Sequence, residues 1–327
     1  MRWEDFRASE NVDDRRGGGG GFEFPGGGGG GGFSLPGGGG GLGIGTLIIL
    51  GILGWVLGID PRVLIGGAET ITGRQQPRIE QQADPGRVPA PRQGDQQRGD
   101  QQPRGDQQRA GPADETGRFA AKILGNTEDV WKEVFPSQLN KTYRNPRMVL
   151  FSGSTTSRCG RARSAMGPFY CPLDQIVYID LSFFDEMRRR FRAGGDFAYA
   201  YVIAHEVGHH VQNQLGILSR VQQRQQEVDE TSANQLSVRI ELMADCLAGV
   251  WANQSNERYH ALEQGDIEEA INAAQAIGDD RLQRSSQGFA VPDSFTHGSS
   301  EQRVRWLQTG LKSGQVSSCD TFRASRL

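Results

Sequence analysis

Glycine limits what this chain can fold into more than any other feature. Residues 17–41 read GGGGGFEFPGGGGGGGFSLPGGGGG, three unbroken runs separated by four-residue islands. Glycine loses more backbone entropy on ordering than any other residue, and the islands bury too little apolar surface to offset that cost. Residues 1–41, including the polar start MRWEDFRASENVDDRR, are therefore expected to form a disordered tail. Residues 60–115 are expected to stay solvated for a different reason. From residue 73 to about 115 they are rich in Gln, Arg, Asp, Gly and Pro and repeat a GDQQ unit three times, with no apolar pattern to bury and a period far too short for a solenoid. That leaves residues 116–327 to build a core, and one folded domain is the economical reading. The net charge of −3 lacks the basic footprint of a nucleic-acid binder, so no such partner is expected.

Between the two solvated stretches lies LGIGTLIILGILGWVLGI, residues 42–59, with no charge and one hydroxyl, Thr46. Its length is just enough to cross the hydrocarbon core of a bilayer as a helix. A cleaved signal peptide fits less well, because 41 residues precede the run and no small-x-small site follows it. A single transmembrane helix is the expectation. Arg2, Arg7, Arg15 and Arg16 precede it and Arg62, Arg74 and Arg78 follow, so charge bias orients it only weakly.

The four cysteines, Cys159, Cys171, Cys246 and Cys319, form no CxxC pair, which argues against a zinc ribbon. Their even number is compatible with two disulfides in any of three pairings, and four buried free thiols remain open as well. Cys159–Cys171 with Cys246–Cys319 is the preferred pairing, because the first closes a short loop containing Gly and Pro. Disulfides persist outside the cytosol, which favours an N-terminus inside and a folded domain outside.

Within the domain, FAAKILGNTEDVWKEVF (119–135) carries apolar residues at helical spacing around Gly125, and Met148–Phe151 forms a short apolar strand. IVYIDLSFF (176–184) reads as a strand entering a helix. Residues 196–215 and 221–253 read as two long helices and 266–277 as a third. With strands only between about 148 and 181, the fold class is α+β, dominated by helices around a small sheet.

Residues 204–210 read AHEVGHH. Positions four apart share a helical face, so His205 and His209 can aim two imidazoles at one metal ion. Glu206 lies about 100° round the helix, where it can reach a metal-bound water. His210 points away from His209 and is given no role. A catalytic zinc needs a third protein ligand. The downstream histidine of HExxHxxGxxH would fall on Leu215, which excludes that class. IELMADCLAGVWA (240–252) supplies Glu241 and Asp245, again four apart, on a helix whose apolar residues mark it as packed. Glu241 is assigned as the third ligand and Asp245 as the acceptor that orients a ligating histidine. Exchanged roles, or two carboxylates on a solvated face, stay open.

HEVGHH followed by ELMADCLAGVWA resembles the neutral zinc metallopeptidase family of bacterial membrane-anchored proteins, which are similar to gluzincins. The likeness extends to MRW with NVDDRR, the glycine-rich run, the apolar run, GPFYCPLDQIVYIDLSFF and FTHGSSEQRVRW. It implies a zincin-like domain holding Zn2+ through His205, His209 and Glu241. The implied activity is peptide-bond hydrolysis by a metal-activated water with Glu206 as general base, endopeptidase before exopeptidase. The implied location is the bacterial inner membrane, single-pass, with the N-terminus cytoplasmic and the catalytic domain periplasmic. THGSSEQRVRW (296–306) resembles the His-and-Arg segment of related membrane gluzincins, with Gly298 where those have proline. It makes His297 the candidate oxyanion donor, with Tyr178 behind it, and has Arg303 holding the segment in place. A helix-capping role for His297 is the alternative. IVYID is expected as an exposed edge strand for a peptide substrate. The competing function is a non-catalytic, metal-stabilised envelope scaffold that binds a partner. An amidase acting on the cell wall is weaker, since no aromatic sugar platform is visible.

Overall fold

Asp114 accepts the amide of Gly117 and so starts helix α1 (Glu115–Leu139), which ends at Asn140 in the left-handed region. The computed structural model to which this helix belongs describes residues 1–16 and 112–327. The expectations for residues 17–41, for the transmembrane helix at 42–59 and for the tether up to 111 lie outside the described residues. Among the described residues no helix is long and apolar enough to cross a membrane.

The main sheet has the order β1-β2-β6-β5. Strands β1 (Val12–Asp14), β2 (Arg147–Phe151) and β6 (Ile176–Asp180) run parallel, and β5 (Phe169–Cys171) is antiparallel to β6. A separate hairpin pairs β3 (Ser154–Ser157) with β4 (Gly160–Arg163). Strand alternation divides the sheet's side chains. Met148, Leu150, Val177 and Ile179 join the main helical core, while Val149, Phe151, Ile176 and Tyr178 join a smaller cluster with Phe169 and Met166. Strand β6 is central and buried throughout, so IVYID is not the exposed edge expected of it; β5 is the edge on that side.

Seven further helices follow: α2 (Ser182–Glu186), running into a π-helical turn over Met187–Phe191, then α3 (Asp196–Gln214), α4 (Ile217–Gln225), α5 (Glu230–Tyr259), α6 (Asp266–Ala276), α7 (Asp279–Gln287) and α8 (Ser300–Ser313). The helix expected over 221–253 is thus split. Asp229 caps a new helix by accepting the Ser232 amide, and α5 runs on to Tyr259. Small residues set how closely the helices approach. A Cβ on Gly208 of α3 would lie 3.0 Å from the Ala244 carbonyl of α5, and one on Gly310 of α8 would lie 1.9 Å from that of Cys246. Cys159–Cys171 and Cys246–Cys319 are both bridged, in the preferred pairing.

The first sixteen residues correct the sequence reading. They are not tail but a strap that closes one side of the domain. The Met1 amine lies 3.1 Å from both Glu263 and Asp266, and Trp3 Nε1 donates to Asp196 at 2.9 Å. Ser9 and Asn11 both donate to Glu128 of α1, at 2.6 and 2.7 Å. Val12–Asp14 then pairs with β2, and Arg16 binds the Asp114 carboxylate. Met1, Phe6 and Val12 are buried. Helix α1 runs unbroken through Gly125, and the strap passes over it there: a Cβ would sit 2.1 Å from the Arg7 carbonyl, so the contact needs glycine. Glycine-rich composition begins only at residue 17, and averaging over 1–41 hid the apolar residues before it.

Candidate metal centre

Helix α3 carries Tyr201, His205 and His209 at successive four-residue steps, so all three share one stripe, and that stripe faces α5. His205 Nε2 lies 3.1 Å from Glu241 Oε2, and His209 Nε2 lies 3.5 Å from Oε1. One ligand atom from each of His205, His209 and Glu241 falls within 4.8 Å of the others. The structure therefore brings together the three residues assigned from sequence as metal ligands.

The other ring nitrogens decide whether this set fits a cation. His205 Nδ1 is 2.8 Å from Asp245 Oδ1, and Asp245 also accepts from the Tyr201 hydroxyl at 2.6 Å and from Arg303 through two bonds of 2.9 Å. Burial works against the Asp245 charge, but Arg303 and His205 outweigh it and hold the carboxyl below its usual range. It is thus an acceptor only, and His205 Nδ1 must donate. His209 Nδ1 meets Gln212 Oε1 at 2.9 Å, while the Gln212 amide nitrogen is committed to the Ile240 carbonyl. Both Nδ1 atoms are thus occupied as donors, and both Nε2 atoms face the Glu241 carboxylate, so that in the neutral imidazoles a metal requires the Nε2 lone pairs converge there. Burial alone would lower the His205 pKa, yet Asp245 and Glu241 raise it to about 10. A site that holds a proton this firmly is one in which a divalent cation is electrostatically favoured, and two imidazoles with a carboxylate suit zinc.

Glu206 is buried, and burial raises its pKa against the opposing pull of His205 and His209. His297, half-buried on the segment that joins α7 to α8, meets Asp279 Oδ1 through Nδ1 at 3.2 Å. Asp279 Oδ2 accepts the backbone amides of Thr296, His297 and Gly298 at 2.8, 2.7 and 3.1 Å, a turn that Gly298 permits at φ 93. Burial opposes a charge on His297, but Asp279 and Glu241 raise its pKa. The capping role considered for His297 belongs to Ser299, which forms a capping box with Gln302. Arg303, expected to hold the 296–306 segment, ties it to α5 through two bonds to Asp245, the carboxylate behind His205.

Tyr178 is a second correction. It lies on the face of β6 turned away from the helices, stacked on Phe169, with its hydroxyl donated to Asp174 at 2.8 Å. Period-two alternation sends Val177 and Ile179 toward α3 and Tyr178 the other way. His210 is fully buried, and its nitrogens meet the Tyr170 hydroxyl and the Arg144 carbonyl at 2.9 and 2.7 Å, a structural role. Sequence reasoning missed Tyr201, Gln212 and Asp279. The first two were findable, since they lie four residues before His205 and three after His209. A cavity of about 630 Å³ lies elsewhere, lined by Leu236, Met243 and Leu247 on the face of α5 opposite Glu241.

Two imidazoles from one helix, a carboxylate from a second and a buried glutamate beside the first imidazole are the parts of a hydrolytic zinc centre. Residues 1–322 match the model of the family described as "Putative neutral zinc metallopeptidase". The chain belongs to this family. It is 46% identical over 332 residues to the protein named YpfJ of Escherichia coli K12, covering 99% of this chain and 100% of that protein. It is 44% identical over 214 residues to the protein named Mb2605 of Mycobacterium bovis, covering 62% of this chain and 70% of that one. No solved structure matches. The family makes Zn2+ the expected metal and a polypeptide the expected substrate.

Proposed function

We propose that the chain is a zinc-dependent endopeptidase tied to a bilayer through residues 42–59, with Glu206 as general base and His297 as oxyanion donor. The observation that carries this reading is the commitment of both Nδ1 atoms, to Asp245 and Gln212, which leaves two Nε2 atoms and Glu241 converging beside the buried Glu206. Zinc held by His205, His209 and Glu241 would supply Lewis acidity, making an attacking water more acidic and the scissile carbonyl more electrophilic. Glu206 accepts the proton of that water, and its burial-raised pKa suits it to hold the proton and then deliver it to the leaving amine. Against the burial that opposes its charge, Asp279 favours the protonated form of His297 and holds it through Nδ1, and Nε2 would donate to the oxygen on which negative charge builds. A peptide adding to the β5 edge would run along the sheet beside α3.

The test uses the full chain loaded with zinc and an unstructured polypeptide such as casein. Glu206→Gln should keep its zinc and lose about 10²- to 10⁴-fold in turnover, the usual contribution of a positioned base. Undiminished hydrolysis by that variant would rule out the assigned base.

A further inference from the structure

Helix α5 carries two stripes. Glu241 and Asp245 mark the one that meets α3. Leu236, Met243 and Leu247, spaced by seven and four residues, mark a second on the other side, and this stripe lines the cavity of about 630 Å³. Val221 of α4 lines it as well, with Val316 and Phe322 from the segment after α8.

The walls are fixed to this floor. Gln225 of α4 donates to the Ala233 carbonyl and the Ser237 hydroxyl of α5 at 2.9 and 2.8 Å. On the other side Cys319 is bridged to Cys246 of α5, and the Thr321 hydroxyl donates to the Arg239 carbonyl at 2.7 Å. These ties oppose the collapse by which side chains ordinarily fill such a space, and a preformed apolar cavity of this size is in the range that holds small ligands.

The walls select the body of a ligand. Helices α4 and α5 spend their amides and carbonyls along their own axes. An extended peptide entering between them would bury N–H and C=O groups without partners, a cost that a hydrocarbon chain avoids. The charged residues of the cavity select the head. They are Arg220, Arg224 and Arg323 against one carboxylate, Asp320. Arg224 lies 3.0 Å from Glu227 and Arg323 3.4 Å from Asp320, in exposed pairs that hold their partners weakly. Arg220 is exposed and has no polar partner among the described residues. A guanidinium fork matches a carboxylate in shape as well as in charge.

We infer that this cavity binds a long-chain carboxylate, with the hydrocarbon tail along Leu236, Met243 and Leu247 and the head on Arg220 and its neighbouring arginines. The site lies across α5 from the metal centre and does not rest on the peptidase reading.

The test photolabels the full chain with hexadecanoate carrying a diazirine in its tail and maps the labelled peptides by mass spectrometry. Label should fall within residues 215–247 and 316–323. Unlabelled hexadecanoate should displace it, and hexadecanol should compete at least about 10-fold less well, the worth of a charge-assisted bond to the head. Leu236→Trp fills the path of the tail and should abolish the label. Arg220→Gln with Arg323→Gln changes two exposed positions outside the core, so it should keep the fold and erase the preference for acid over alcohol. Label found only outside these peptides, equal competition by acid and alcohol in the unaltered chain, or undiminished label in Leu236→Trp would each overturn the inference.

Discussion

Asp245 touches no metal ligand atom, yet the centre depends on it. Its two oxygens receive His205, Tyr201 and Arg303, and it is completely buried. Replacing it with Ala leaves the buried guanidinium of Arg303 without its counter-charge, a loss worth about 3–5 kcal/mol in comparable cases. The variant should unfold at markedly lower urea concentration. Its zinc affinity should fall about 10- to 100-fold, as expected when the acceptor behind a ligating imidazole is removed. Competition with a chromogenic chelator would measure it. A variant with wild-type stability and affinity would mean that His205 needs no such orientation. At this scale the chain was largely legible in advance. His205, His209, Glu241 and Asp245 sit at four-residue spacings, and a helix converts such spacing into a shared face without further information. Tyr178 was misplaced for the complementary reason, that a strand presents neighbouring residues to opposite faces and only the tertiary packing says which face meets the helices.

Among elements, the contact of α5 with α8 is the tightest. Gly310 and Gly249 each leave room for the other helix's backbone, with a Cβ on Gly310 falling 1.9 Å from the Cys246 carbonyl. Gly310→Ala therefore forces the helices apart and should cost about 1–3 kcal/mol by overpacking. Because α8 also carries Arg303, the same substitution should shift the Asp245 clamp and reduce zinc affinity. Thermal unfolding with and without zinc separates the two effects; an unchanged midpoint in both would contradict the packing described. Most helices were visible in the periodicity of the sequence, including α1, α3 and α6. The break between α4 and α5 was not, because apolar spacing carries across residues 226–229 and only the Asp229 cap marks the new start.

The strap is a property of the whole molecule, and pH gives a handle on it. The bond from Arg16 holds the Asp114 carboxyl down to about 2, below its ordinary 3.8. A carboxylate with a depressed folded pKa contributes stability above its unfolded pKa and loses it as pH falls through the folded one. The strap's attachment should therefore be intact at pH 5 and weaken between pH 4 and 2. Half of this pair is exposed, so its worth is under about 1 kcal/mol. The difference in melting temperature between wild type and Arg16→Ala should be small at pH 6 and vanish near pH 2. A difference that grows with acid would reverse the assignment.

The sequence alone determined the helical frame of the domain and the ligand pattern on α3 and α5. Each of these is a local property, written in the composition or periodicity of neighbouring residues. Tertiary structure decided the rest: that Met1 to Arg16 close the sheet, that β5 and not β6 is its edge beside α3, and that Arg303 serves Asp245. These depend on pairings between residues far apart in the chain, where strand neighbours and buried charge partners are chosen by the packing of the finished core and leave no repeat in the sequence to announce them.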